Sequence, residues 1–161
     1  MPFTPFHFGP GAVFKAVGGR HFSFMVFCGS QVLMDIEPLI GILTQKPILH
    51  GTSHTLLGAL VIGTIAGIIG KPISAMVLRW RSIPHYPFTW TSSFIGAYIG
   101  TFSHILLDAV LHSDMSPWWP VATGNRLLGL AGYDQMHVAC VLVGLFGAAV
   151  VAFKFKTKGR A

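Results

Sequence analysis

Only 10% of the 161 residues are charged and 52% are hydrophobic, whereas an ordinary soluble domain carries roughly 25% charged residues. With a mean hydropathy of +0.64, this excludes a water-soluble globular domain and points to one small membrane-embedded domain over residues 1–161. The net charge of +6 would suit a nucleic-acid binder, but basic loops at one membrane face account for it; the expected partner is the lipid bilayer, and no nucleic acid is expected.

The chain opens with MPFTPFHFGPG, which lacks the charged start and unbroken apolar run of a cleaved signal peptide. Four apolar segments follow, to be measured against the about 20 residues a span needs. The first, 22–43, is interrupted by Asp35, Glu37 and Pro38. The second, 54–70, reads HTLLGALVIGTIAGIIG and has the option of continuing past Pro72 into ISAMVLRW; its glycines suit close helix packing in lipid. The third is 93–111 and the fourth 136–155, with Pro, Gly, Ser and Asn punctuating the loops at 82–92 and 113–135. Trp118 and Trp119, beside Pro117 and Pro120, read as an interfacial belt after the third span. The expected fold is all-α and polytopic, with about four transmembrane helices. Cys28 and Cys140 lie in apolar runs, as small core residues rather than a disulfide framework.

The basic residues set an orientation. With four spans and the N-terminus inside, Lys15, Arg20, Lys71, Arg79, Arg81, Lys154, Lys156, Lys158 and Arg160 are cytoplasmic, and only Lys46 and Arg126 lie outside. That is a positive-inside bias. It predicts a multi-pass protein of the inner (plasma) membrane with both termini in the cytoplasm.

Against this apolar background a few polar residues stand out. In HILLDAVLH, residues 104–112, His104, Asp108 and His112 recur at four-residue steps and project from one helix face. Asp35 and Glu37 fall near the outer end of the first span, and His50 and His54, in HGTSH, flank the start of the second. Each has a bland reading. A histidine in a membrane helix can simply bond a neighbouring carbonyl, as at His112 or His137; MDIEP can be a helix end meeting water; Thr52 and Ser53 are good helix caps. Together, however, ionisable groups from three separate regions converge on the outer end of one small bundle. Such groups are costly in hydrocarbon and mark functional sites by default. Mixed histidine and carboxylate ligands are what a divalent metal, zinc foremost, requires, and a bound cation compensates carboxylates buried out of water.

The pieces TPFHFGPG, MDIEP, HGTSHTLLG and SHILLDAVLHSDMSPWWP occur in this order over residues 1 to about 120. In that arrangement the chain resembles the YdjM/YbcI-type inner-membrane metal-dependent hydrolases, with their early histidine, acidic pair at the end of the first span, HRG-x-TH, SH-x-x-x-D and WP-containing turn. Glu37 stands where the family has an aspartate, and no arginine follows His50. The family is distantly similar to zinc-dependent phospholipase C and P1-type nucleases, so the resemblance implies phosphoester cleavage at a multi-zinc site. It adds His7 to the ligand set, which requires residues 3–20 to re-enter the bundle; Pro5, Pro10 and the glycines permit this.

The expected function is therefore a membrane-embedded metal-dependent hydrolase of a phosphoester or phospholipid, using metal-activated water. His54, His104 and Asp108 lead the ligand set, followed by Asp35, Glu37, His50 and His7; Asp35 or Glu37 is the candidate catalytic base. Two other classes stay open. One is a non-catalytic accessory or assembly subunit of a larger membrane complex, with a structural or degenerate metal site. The other is a b-type haem protein using histidines from two helices.

Overall fold

The computed structural model describes residues 4–82 and 88–158. Positions 83–87 of the loop read at 82–92, and Arg160 of the basic tail, lie outside the described residues. The described residues form α1 (Phe8–Gly18), α2 (Phe24–Met34), α3 (Ile36–Leu43), α4 (Leu56–Trp80), α5 (Trp90–Leu111) and α6 (Tyr133–Lys158), joined in part by short 3-10 turns at Thr4–His7, Gly19–His21 and Thr52–His54. Among them there is no strand. Four stretches are long and apolar enough to cross a membrane: Phe24–Leu43, Leu56–Trp80, Trp90–Leu111 and Tyr133–Thr157. The shortest, at 20 residues, reaches roughly 30 Å, the thickness of a hydrocarbon core.

These segments are helical because hydrocarbon offers backbone groups no partner except the chain itself. That pressure overrides the poor helix propensity of glycine in α4. It also carries α4 ten residues beyond 70, to Trp80, with Pro72 inside. The proline removes one hydrogen bond, to the Ile68 carbonyl, and membrane helices tolerate that loss. The caps are local: Ser23, Thr55 and Thr89 accept from the amides of Val26, Gly58 and Ser92. The cap of α4 is thus Thr55, rather than Thr52 or Ser53.

The N-terminal segment folds back into the bundle. Helix α1 runs alongside α6 in the same direction, with Gly9 against Cys140 and Gly147 against Ala12 and Val13. Lys154 then donates to the Ala16 carbonyl at 2.7 Å. A methyl group on Gly9 would collide with the Cys140 carbonyl, so glycine is required for this approach. At 11 residues, α1 covers about 16 Å, half a span. It carries the chain from His7, level with the start of α6, to a turn level with Lys154. Four passes would return the chain to the side it began on; the extra pass of α1 instead leaves Thr4 and Lys158 at opposite ends of the bundle. The two ends differ in charge. Lys15, Arg20, Lys71, Arg79, Arg81 and Lys154 lie at one, whereas Asp35, Glu37, Asp108, Asp114 and Asp134 all lie toward the other.

The break between α2 and α3 shapes the acidic end. Pro38 has no N–H to give the Met34 carbonyl, so the helix ladder lapses at Asp35 and resumes with Leu39 bonding the Asp35 carbonyl at 3.0 Å. The freed Met34 carbonyl accepts from the Ser53 hydroxyl at 3.5 Å. A proline in the first span thereby receives the turn that carries His54.

Candidate metal centre

Four parts of the chain meet at one carboxylate. The turn Thr4–His7 supplies His7, the α2–α3 break supplies Asp35, the turn Thr52–His54 supplies His54, and α5 supplies His104 and Asp108. Asp108 Oδ2 lies 3.0 Å from His104 Nε2 and 3.3 Å from His54 Nε2. Its Oδ1 lies 3.3 Å from His7 Nε2 and 3.8 Å from His112 Nε2. Asp35 Oδ1 approaches His104 Nε2 to 3.3 Å. His54, His104 and Asp108 are sealed from solvent at 0%, 0% and 2% exposure, and the Asp35 side chain, at 26%, is the open side of the cluster.

The far ring nitrogens are held from behind. His104 Nδ1 bonds Gln31 Oε1 at 2.6 Å, His54 Nδ1 bonds the Ser53 hydroxyl at 2.8 Å, and His50 Nδ1 bonds Asp114 Oδ1 at 2.9 Å. Each imidazole is fixed through Nδ1 while Nε2 is left for the centre, the arrangement by which outer partners orient metal-binding histidines. Asp108 Oδ1 and His112 Nε2 are buried with no hydrogen-bond partner among the described residues. Buried polar atoms are seldom left so. Asp35, His54, His104 and Asp108 each offer a ligand atom within 4.8 Å of the others, and His50, Asp108 and His112 do the same. The cluster can hold a metal ion, and Asp108 belongs to both groups.

Glu37 stands apart from both groups. Its carboxylate accepts from the amides of Ser53 and Thr52, at 2.7 and 3.2 Å, and from both their hydroxyls. It secures the turn that presents His54. His50 and His112 stack at 3.9 Å between ring centroids beside Asp108. Burial raises the pKa of Asp114, but the amides of Leu49 and His50 and the His50 ring outweigh it and hold the carboxyl down at about 2. Burial and the adjoining His50 lower the pKa of His112, which favours the neutral ring a metal needs. His137 joins neither group and stacks on Phe6 at 4.1 Å. The Nε2 atoms of His54 and His104 are 3.3 Å apart, which leaves no room for a porphyrin between them.

Sequence reading missed Gln31, Ser53 and Asp114. Gln31 carried a usable signal, an amide in mid-span, since such a group needs a partner in hydrocarbon. Gln31→Leu is expected to weaken metal binding by about 10–100-fold, the usual cost of losing an outer partner. Glu37→Gln, which keeps an acceptor for Ser53, is expected to cost less. Competition against a chromophoric chelator measures both, and a loss with Glu37→Gln as deep as that of a direct ligand would place Glu37 on the metal.

Beside the cluster a groove of about 650 Å³ opens sideways between α3 and α4. Ile36, Ile40, Val61 and Ile65 line its wall, and Glu37, Lys46, Thr52 and Ser53 also border it. No family model, no curated protein and no solved structure matches this chain, which leaves the geometry of the cluster to carry its function.

Proposed function

We propose that this protein is a membrane-embedded, zinc-dependent hydrolase of the YdjM/YbcI type, acting on a phosphoester and, through the lateral groove, on a phospholipid. The observation that carries the reading is the convergence of His54 and His104 Nε2 on Asp108, with each Nδ1 tied off behind. Asp35, His54, His104 and Asp108 would hold one divalent ion, a nitrogen–oxygen set that suits zinc. Asp108, with His112 and His50, and with His7 beside it, would hold a second, Asp108 being common to both groups. The metal would supply Lewis acidity and a water of lowered pKa. Asp35, less buried than Asp108, would either complete that ligand set or, left off the metal, take the water's proton. Glu37 positions His54 through Ser53. The groove would seat an acyl chain along Ile36, Ile40, Val61 and Ile65, with Lys46 near its phosphate.

The charge asymmetry supports an orientation in the inner membrane with the basic end in the cytoplasm and the site outward. Lys15 and Arg20 keep their cytoplasmic place in it, because α1 delivers them to the basic end. Thr4, where the described residues begin, then lies on the site side.

A second reading, a non-catalytic subunit whose metal is structural, is favoured by the sealing of His54, His104 and Asp108 and opposed by the open side at Asp35. Elemental analysis of detergent-purified protein, paired with phospholipid and phosphodiester hydrolysis assays, separates the readings. Zinc with turnover, both lost in His104→Ala, supports the hydrolase. Zinc without turnover on any phosphoester gives the structural reading, and protein that takes up no divalent metal sinks both.

A further inference from the structure

The end of the bundle away from the cluster holds a pocket with a different chemistry. It lies between α1 and α6, with a volume of about 500 Å³, inside the range of roughly 300–1,000 Å³ typical of small-ligand sites. Lys15, Arg20 and Lys154 bring three cations to it, and Val17, Val151 and Phe155 add apolar wall. Val17 and Phe155 are 82% and 68% exposed, an unfavourable surface unless hydrocarbon covers it.

The two lysines have a structural task. Lys15 Nζ donates to the carbonyls of Gly19 and Phe22 at 2.8 and 3.0 Å, and Lys154 Nζ to that of Ala16 at 2.7 Å. These ammonium groups satisfy carbonyls at and just beyond the C-terminal turn of α1, where a helix leaves them unbonded. Carbonyls are neutral, however. They fix the ammonium groups in place without cancelling their charge, and each ammonium has three protons to give. Arg20 is exposed and its Nε donates to His21 Nε2 at 3.4 Å; among the described residues its two terminal nitrogens have no hydrogen-bond partner and can face an anion. The five aspartate and glutamate side chains all lie toward the other end of the bundle. The pocket therefore combines fixed cations, which no carboxylate among the described residues offsets, with a rim made for acyl chains.

We propose that this pocket binds the phosphate of an anionic membrane phospholipid, with the acyl chains lying over Val17, Val151 and Phe155. Basic pockets between membrane helices recognise anionic headgroups in this way. A free phosphate would use the cations and leave the apolar rim uncovered. The bound lipid would clamp α1 onto α6, and α1 is the helix whose first turn follows His7. The proposal stands independently of the metal reading.

The test uses delipidated full-length protein in neutral detergent, titrated with phosphatidylglycerol, phosphatidylcholine or inorganic phosphate and followed by native mass spectrometry. Phosphatidylglycerol is expected to bind at least about tenfold more tightly than phosphatidylcholine. Arg20→Gln with Lys154→Gln should weaken it by about tenfold or more, while Arg20→Gln alone, which disturbs no helix end, should give part of that loss. Lys15, which holds two carbonyls at the end of α1, is left in place; glutamine at 154 keeps an amide donor for the Ala16 carbonyl, and circular dichroism checks that helicity is kept. Equal affinity for the two lipids, or full phosphatidylglycerol affinity in a folded Arg20→Gln protein, would overturn the proposal. So would displacement of the lipid by millimolar phosphate, which would make this a site for the soluble anion.

Discussion

Asp108→Asn is expected to reduce bound divalent metal to less than about a tenth of the wild-type content, a deeper loss than any other single substitution in the cluster. Asp108 is the one residue common to both ligand groups, and the carboxamide replaces one of its two anionic oxygens with an NH₂ that cannot ligate. Losing an outer partner already costs about 10–100-fold in metal affinity, so losing a shared ligand costs more. Stability should respond as well. Without metal, the Asp108 carboxylate still lies 3.0 Å from His104 Nε2 and 3.3 Å from those of His54 and His7, and removing one partner of a buried pair costs roughly 3–5 kcal/mol, so metal-free Asp108→Asn is expected to melt below the metal-free wild type. On adding zinc, the wild type should gain roughly 4 kcal/mol at a thousandfold excess over its dissociation constant, and the variant should gain almost nothing. Scanning calorimetry with and without a chelator reads both. His137→Ala is the matched control: it removes a histidine that stacks on Phe6 outside both ligand groups, and metal content should not change. If Asp108→Asn retains full metal, the centre is not where the histidines converge.

The spans were legible because hydrocarbon imposes one rule, that apolar segments become helices. Asp108 and its two histidine neighbours were legible because four-residue steps repeat on a helix face. What lay hidden depended on contacts between distant segments. The place of Gln31 behind His104 is set by the packing of α2 on α5, and no spacing along the chain encodes it. Asp114 reads as a loop acid until the fold brings the Leu49 and His50 amides to it. Glu37 matched a ligand by residue type, yet Pro38 breaks the helix beside it and opens the place where the turn of Ser53 docks, which takes up its carboxylate. The course of α1 was readable only as permission: Pro5, Pro10 and the glycines allow re-entry, and the close approach of Gly9 to α6 is what fixes its direction.

That direction yields the second large effect, an all-or-none pattern of labelling across the membrane. In a background with Cys28 and Cys140 replaced, single cysteines at Pro5, Ser113 and Thr157 all fall on exposed positions, so each reports the compartment it faces. Ser113 follows α5 at the site end, and Thr157 closes α6 at the basic end. In the proposed orientation, with the basic end in the cytoplasm, Ser113→Cys is expected to react with an impermeant maleimide in intact spheroplasts, and Thr157→Cys only after lysis. Pro5→Cys discriminates most sharply. Four passes with both termini inside would group it with Thr157; the half-length pass of α1 groups it with Ser113. A probe at Phe8, half-buried at the start of α1, should react slowly from either side. Labelling of Pro5→Cys only after lysis, together with Thr157→Cys, would separate His7 from the cluster and remove it from the candidate ligands around Asp108. The reverse order at Ser113 and Thr157 would turn the whole site toward the cytoplasm.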